Sequence, residues 1–146
     1  VRTIIVGGPR SGKSTLARDY RSRGIPTFCG DPLSEVKEPE SDVHYLPEGM
    51  GLGPDVATRW IAENWFTLPG PWLMEGQIMA RALRKWTLLR DDRWRGAVPA
   101  PCDRIIVFRE VHPLAQVTPG QLAMGKGVQT VWGQVEHHFR AITEYR

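Results

Sequence analysis

Thr3-Ile4-Ile5-Val6 is an unbroken β-branched run, the pattern of a strand buried on both faces. Glycine-rich residues 7–12 follow as a turn. Lys13–Arg23 then reads as a helix, with Leu16, Ala17 and Tyr20 on one face and Gly24 as its stop. Ile25–Cys29 predicts a second strand, and Pro26 suggests an edge position for it. Residues 30–54 carry Pro32, Pro39, Pro47 and Pro54 with Gly49, Gly51 and Gly53, and read as a long, mostly irregular insert. Pro54 suits the first turn of a helix running to about Phe66, with Val56, Trp60, Ile61 and Trp65 on one side. Trp72–Glu75 reads as a third strand. From Ile78 the apolar positions 78, 79, 82, 83, 86 and 89 keep helical period. Residues 91–101 read as a loop and Arg104–Phe108 as the fourth strand. Thr118-Pro119 has the form of an N-cap followed by proline at the first helical position. A C-terminal helix is marked by apolar positions 128, 131, 132, 135, 139 and 142. The alternation of strand and helix predicts one three-layer α/β domain over 1–146, with a mainly parallel sheet of about four to five strands flanked by helices.

Length and composition agree. The 146 residues, 41% hydrophobic and 24% charged, suit one domain with a real core. No apolar run approaches the roughly 20 residues of a membrane span, and Val1–Gly8 is too short for a signal peptide. Cys29 and Cys102 form neither a disulfide framework nor a zinc spacing, and are expected as reduced thiols in a cytosolic protein.

Charge changes the picture more. Residues 31–55 hold seven acids against Lys37, so this stretch is −6 in a chain of net charge +3. Arg81, Arg84, Lys85, Arg90, Arg93 and Arg95 crowd into fifteen positions, opposed by Asp91 and Asp92. Such a cluster either attracts phosphate-rich partners or forms an ordinary solvated helix face.

The strongest chemical signal is Gly7-Gly8-Pro9-Arg10-Ser11-Gly12-Lys13-Ser14, which matches G-x-x-x-x-G-K-[ST] throughout. It lies where the chemistry requires, between a β-branched strand and a helix. Backbone N–H groups of such a loop and of the helix start converge on phosphates. Gly7 and Gly12 allow backbone angles and close approach that a Cβ would block. Lys13 would reach the β- and γ-phosphates, Ser14 would hold Mg²⁺, and Thr15 would reach the α-phosphate. No N-K-x-D motif for guanine is present, and the chain is too short for the usual motor or helicase core.

Two acids are aimed at the same region. Asp31 follows the second strand, and in a parallel sheet ligands sit beyond the strands' carboxyl ends. It can accept or orient an acceptor's proton, or merely cap the turn with Pro32. Glu75 ends the third strand and can support Mg²⁺, or pair with Arg81 or Arg84. Cations for the charge developing in transfer are sought among Arg10, Arg81, Arg84, Arg109 and Lys126. His44-Tyr45 could line an acceptor site. Trp60, Trp65, Trp86 and Trp132 fit core-facing positions, whereas Trp94, between Arg93 and Arg95, is the best candidate for an exposed, base-stacking ring.

Strand, phosphate loop, Asp31, Glu75 and a lid-like segment at about 112–127 together resemble the small P-loop kinases of nucleoside monophosphates, shikimate and polynucleotides. Gly30-Asp31-Pro32, Met74-Glu75-Gly76 and Gly120–Trp132 resemble more closely the phage-encoded kinases that phosphorylate 5-hydroxymethyluracil within DNA. The resemblance implies a P-loop kinase fold, ATP as donor, Mg²⁺, DNA carrying a modified base as partner, and the host cytoplasm as location. It implies phosphate binding by residues 7–15, catalytic roles for Arg10, Lys13, Asp31, Glu75 and Lys126, and contacts to the acceptor by Asp31, Arg81, Arg84 and Trp94. Three departures stand out. The chain has Glu75 where P-loop proteins usually carry Asp. The lid segment offers only Lys126, with Gly120, Gly125 and Gly127 to let it move. No fifth strand is evident after it. A kinase for a free nucleotide, nucleoside or small metabolite, and a nucleotide-dependent switch or binding protein, remain the alternatives.

Overall fold

A computed structural model describes residues 1–36, 38–49, 53–94, 98–112 and 115–146, and of residues 91–94 the backbone. The strands are β1 (Arg2–Gly7), β2 (Thr27–Cys29), β3 (Val43–Tyr45), β4 (Trp72–Glu75), β5 (Arg104–Phe108) and β6 (Thr143–Tyr145). The helices are α1 (Lys13–Ser22), α2 (Pro54–Trp60, continued by a π-helical turn Ile61–Trp65), α3 (Met79–Trp94) and α4 (Pro119–Val135).

The six strands form one sheet in the order β3-β2-β4-β1-β5-β6, and every pair is parallel. β1 sits centrally, Ile4 opposite Met74 on one side and Ile105 on the other. Side chains alternate across the pleat. Ile4, Val6, Met74, Ile105 and Val107 point into the main core, which α2, α3 and α4 cover with Ile61, Leu83, Trp86, Val131 and Trp132. Ile5, Leu73 and Ile106 point to the other face, where α1 supplies Ala17, Leu16 and Tyr20. The molecule is therefore an α/β domain with a parallel sheet flanked by helices.

Several expectations are corrected. The sheet has six strands, not four to five. β6 supplies the strand not evident in the sequence. It pairs with β5, and Arg104 bridges to Glu144 across that pair. β3 forms inside the stretch expected to be mostly irregular, because Arg21 of α1 pairs with Glu40 and Asp42 and holds that segment beside the sheet. β2 is consequently an interior strand. Pro26 precedes its ladder and needs no N–H there; its carbonyl instead accepts from the Leu73 N–H at 2.9 Å. The helix expected to give way to a loop at 91 runs on to Trp94.

The Thr118-Pro119 cap opens α4 as expected, and residues 119–127 of the lid-like stretch are the first half of that helix. Thr118 and Gln121 close a capping box, with Gln121 N–H to Thr118 Oγ1 at 3.1 Å and Thr118 N–H to Gln121 Oε1 at 3.0 Å. α4 stops at Val135, and two short 3₁₀ turns follow, Glu136–His138 and Arg140–Ile142, with Phe139 between them still packed in the core.

Trp65, Trp72, Trp86 and Trp132 are buried. The indoles of Trp72, Trp86 and Trp132 donate to Leu68 O, Pro99 O and Tyr145 Oη, the satisfied polar handle that lets a tryptophan serve as core. No described helix is long and apolar enough to cross a membrane.

Candidate functional site

The loop between β1 and α1 is held from both sides. Arg10 has φ 60 and Gly12 has φ 103. Arg10 is stabilised in this backbone region by its carbonyl, which accepts from the His112 N–H at 2.8 Å. Gly12 occupies the N-cap of α1 in a conformation natural only to glycine. No side chain caps this helix and no acid lies in its first turn, so no side chain meets the leading N–H groups at the positive end of its dipole. Lys13 is buried, whereas Arg10, Ser14 and Thr15 are exposed. Gly8 meets α4 directly: a Cβ there would stand 2.5 Å from Gly125 Cα.

The carboxyl ends of β2 and β4 lie side by side, Cys29 opposite Glu75. The Gly30 N–H donates to Glu75 O at 2.8 Å and carries the ladder one residue further. Glu75 is buried, and its Oε2 has no hydrogen-bond partner. Burial raises its pKa, Lys13 opposes that rise and Asp31 adds to it. Burial likewise pushes the Cys29 thiol up, and the adjacent Glu75 and Asp31 charges push it further. Ligand atoms of Cys29, Asp31 and Glu75 lie within 4.8 Å of one another. An uncompensated buried carboxylate oxygen is costly. Here it sits in the field of Lys13, beside a second carboxylate, which is a donor set suited to a hard cation.

Asp31 is half-buried. Its Oδ1 accepts from the Gln77 N–H at 3.1 Å, fixing the turn after β4 rather than the Pro32 turn. Asp31 lines two clefts. The smaller, about 250 Å³, lies toward α1 and includes Ser14, Cys29 and Glu75. The larger, about 1160 Å³, opens between the 30–49 segment, the start of α3 and the side of α4. Residues 7–13 line neither cleft, and of them only Arg10 is exposed; the next residue, Ser14, lines the smaller cleft.

The remaining candidates divide. Arg81 lines the large cleft. Arg84 donates to Gln134 Oε1 at 2.8 Å and lines neither cleft. Thus Glu75 forms an ion pair with neither arginine. Lys126 is exposed on α4, next to Gly125. Arg109 lies 3.6 Å over the Tyr145 ring, its guanidinium engaged at the β5–β6 edge. His44 stacks on Phe28 at 4.6 Å, and Tyr45, whose hydroxyl accepts from the Glu40 N–H, lines the small cleft. Neither lines the large one. The Trp94 side chain lies outside the described residues, as do those of Arg93 and Arg95.

Sequence alone does not single out Gln77, marks Cys29 only as a reduced thiol, and marks Gly125 only as a glycine that lets the lid segment move. Strand order alone makes Cys29 a neighbour of Glu75. A signal for Gly125 was present in the glycines at 120, 125 and 127, which are costly inside a helix and so mark a close approach or a hinge.

No family model matches the chain, and no curated protein matches it.

Proposed function

We propose that the chain is an ATP-dependent phosphotransferase of the P-loop kinase type, acting on a hydroxyl acceptor. The observation that carries this reading is the position of Asp31. It is the wall shared by a large cleft and a small one containing Ser14 and Glu75, beside a loop with an uncapped helix start and a buried lysine.

In this reading the N–H groups of Gly8 and of residues 10–15, together with Lys13, bind the triphosphate. Ser14 and Glu75 would hold Mg²⁺, for which the orphan Glu75 oxygen is a fitting ligand. The ion, when bound, neutralises charge on the β- and γ-oxygens. The acceptor hydroxyl lies in the large cleft and donates its proton to Asp31 as its oxygen bonds to the γ-phosphorus. The bond from that phosphorus to the bridging oxygen breaks, and ADP leaves with the electron pair. Lys13, and Arg10 from the rim, stabilise the equatorial oxygens. The acceptor favoured by the resemblance of residues 30–32, 74–76 and 120–132 is the hydroxymethyl group of 5-hydroxymethyluracil in DNA. The cleft has room for a base with its sugar.

The test uses γ-labelled ATP with hydroxymethyluracil DNA, ordinary DNA ends and free nucleosides. Label in the modified DNA alone is the expected result; label on free nucleosides alone overturns the DNA reading, and label only in inorganic phosphate overturns the kinase. Asp31→Asn keeps an acceptor for the Gln77 N–H and is expected to lower transfer at least about 100-fold with nucleotide affinity kept. Lys13→Ala is expected to abolish the calorimetric signal of ATP with Mg²⁺ while the fold, by circular dichroism, is unchanged. Unaltered turnover in the first variant removes Asp31 from the chemistry, and unaltered binding in the second removes the loop.

A further inference from the structure

Charge is distributed unevenly between the loop and the large cleft, and this bears on what the cleft accepts. The chain as a whole has more bases than acids, 19 Lys and Arg against 16 Asp and Glu. Among the described residues the lining of the cleft reverses that balance: Asp31, Glu35 and Glu48 are its acids and Arg81 is its one cation. Glu35, Glu48 and Arg81 are all exposed, and none of them forms an ion pair within the described chain. The rest of the lining is largely apolar, with Leu46 and Pro47 on one side, Ile78 at the start of α3, and Met124 and Val128 on α4. The cations of the loop, Arg10 and Lys13, do not line it.

A phosphomonoester carries about −1.5 to −2 charges at neutral pH, whereas a phosphodiester carries one and a nucleoside none. One guanidinium facing three carboxylates leaves the cleft net negative. A dianion placed there meets repulsion from three acids and attraction from one base. A flat, uncharged ring meets the apolar wall at no such cost, and a single diester phosphate can be matched by Arg81 alone. The volume, about 1160 Å³, exceeds what one base fills, so the excluded feature is charge rather than size.

We propose that the large cleft selects an acceptor bearing at most one negative charge, either a nucleoside or a nucleotide joined through a single phosphodiester. Free phosphomonoesters are rejected, with Arg81 as the specificity-determining cation and Glu35 and Glu48 as the excluding acids. This rests on the kinase reading above and goes beyond it by assigning the charge class of the acceptor.

The experiment compares three acceptors with the same hydroxyl-bearing base: the nucleoside, its 5′-monophosphate, and the same nucleotide in a dinucleotide whose single phosphate is a diester and whose ends are free of phosphate. Transfer is followed with labelled ATP, and binding by quenching of tryptophan fluorescence without ATP. The 5′-monophosphate is expected to show roughly a tenfold lower kcat/KM and weaker binding than the other two. Glu35→Gln/Glu48→Gln is expected to close that gap severalfold, and Arg81→Gln to lower the ratio of dinucleotide to nucleoside. A 5′-monophosphate preferred over both, or a ratio unmoved in the double glutamine variant, overturns the proposal while leaving a kinase in place. Binding of all three without transfer to any overturns the kinase reading, and the binding order still decides the charge class. Binding of none overturns both.

Discussion

Replacing Gly8 with alanine plants a methyl carbon 2.5 Å from Gly125 Cα, 3.3 Å from its nitrogen and 3.6 Å from its carbonyl carbon. Carbon atoms pack best at about 3.5–4.0 Å, so α4 or the loop must yield by about 1 Å. Neither has a flexible side chain there to give way. α4 also carries Val128, Val131, Trp132 and Val135 into the core, so moving it loosens packing along its length. Overpacking of this kind costs about 1–3 kcal/mol, and at about 2–4 °C per kcal/mol for a domain near this size the melting temperature should fall by ~3–10 °C. The facing glycine predicts the opposite sign. A Cβ on Gly125 has no heavy atom within 4 Å, and alanine in a helix interior is better than glycine by about 0.5–1 kcal/mol. Gly125→Ala should therefore melt higher by a few degrees. Thermal unfolding by circular dichroism of the two single variants checks both signs. Two variants that shift in the same direction, or a Gly8→Ala protein that melts with the wild type, would refute the claim that α4 rests on the loop.

Glu75→Gln should separate stability from activity. Burial raises the Glu75 pKa, so the stability associated with its protonated form is present below the ordinary value of about 4.3 and is lost as pH rises through the folded value. Glutamine cannot ionise. The variant should match the wild type near pH 4 and melt higher toward pH 7 without metal, while transfer with Mg²⁺ falls; a melting difference that does not vary with pH refutes the uncompensated charge. Both thiols should be inert in the folded chain, since burial pushes Cys102 to about 12 and Cys29 further and the thiolate is the reactive form. A disulfide reagent at pH 8 should titrate two thiols in urea and essentially none natively over the same minutes. Rapid native labelling of Cys29 contradicts its burial beside Glu75.

The elements legible in the sequence are those whose stability is local. β1, β4 and β5 are apolar runs, and the capping box at Thr118 announces the start of α4. β3 and β6 escape because each is three residues long with a polar centre, His44 and Glu144. Neither has a hydrophobic pattern of its own. β3 exists because His44 stacks on Phe28 and Arg21 binds the acids before it. β6 exists because Arg104 reaches Glu144, and Tyr145 joins Trp132 to Glu136. Tertiary contact decides such short edge segments, and propensity has little hold on them.

The candidate site divides along the same line. Spacing alone identifies residues 7–15, because a phosphate-binding turn is built from neighbours in sequence. Asp31 and Glu75 are legible one step further out, as acids ending strands of a parallel sheet. That step places both at one edge without giving the distance between them. The distance follows from β2 lying directly against β4, and β2 is interior only because β3 covers its far side. A segment that reads as irregular thus completes the sheet on one side and, through Glu35, Leu46 and Glu48, walls the large cleft on the other. Its acids do two jobs that composition could not separate. Glu40 and Asp42 share Arg21 and act structurally. Glu35 and Glu48 form no ion pair and give the cleft its sign. The −6 of residues 31–55 is therefore not one uniform block: Glu35 and Glu48 line the large cleft, whereas Glu40 and Asp42 share Arg21 of α1.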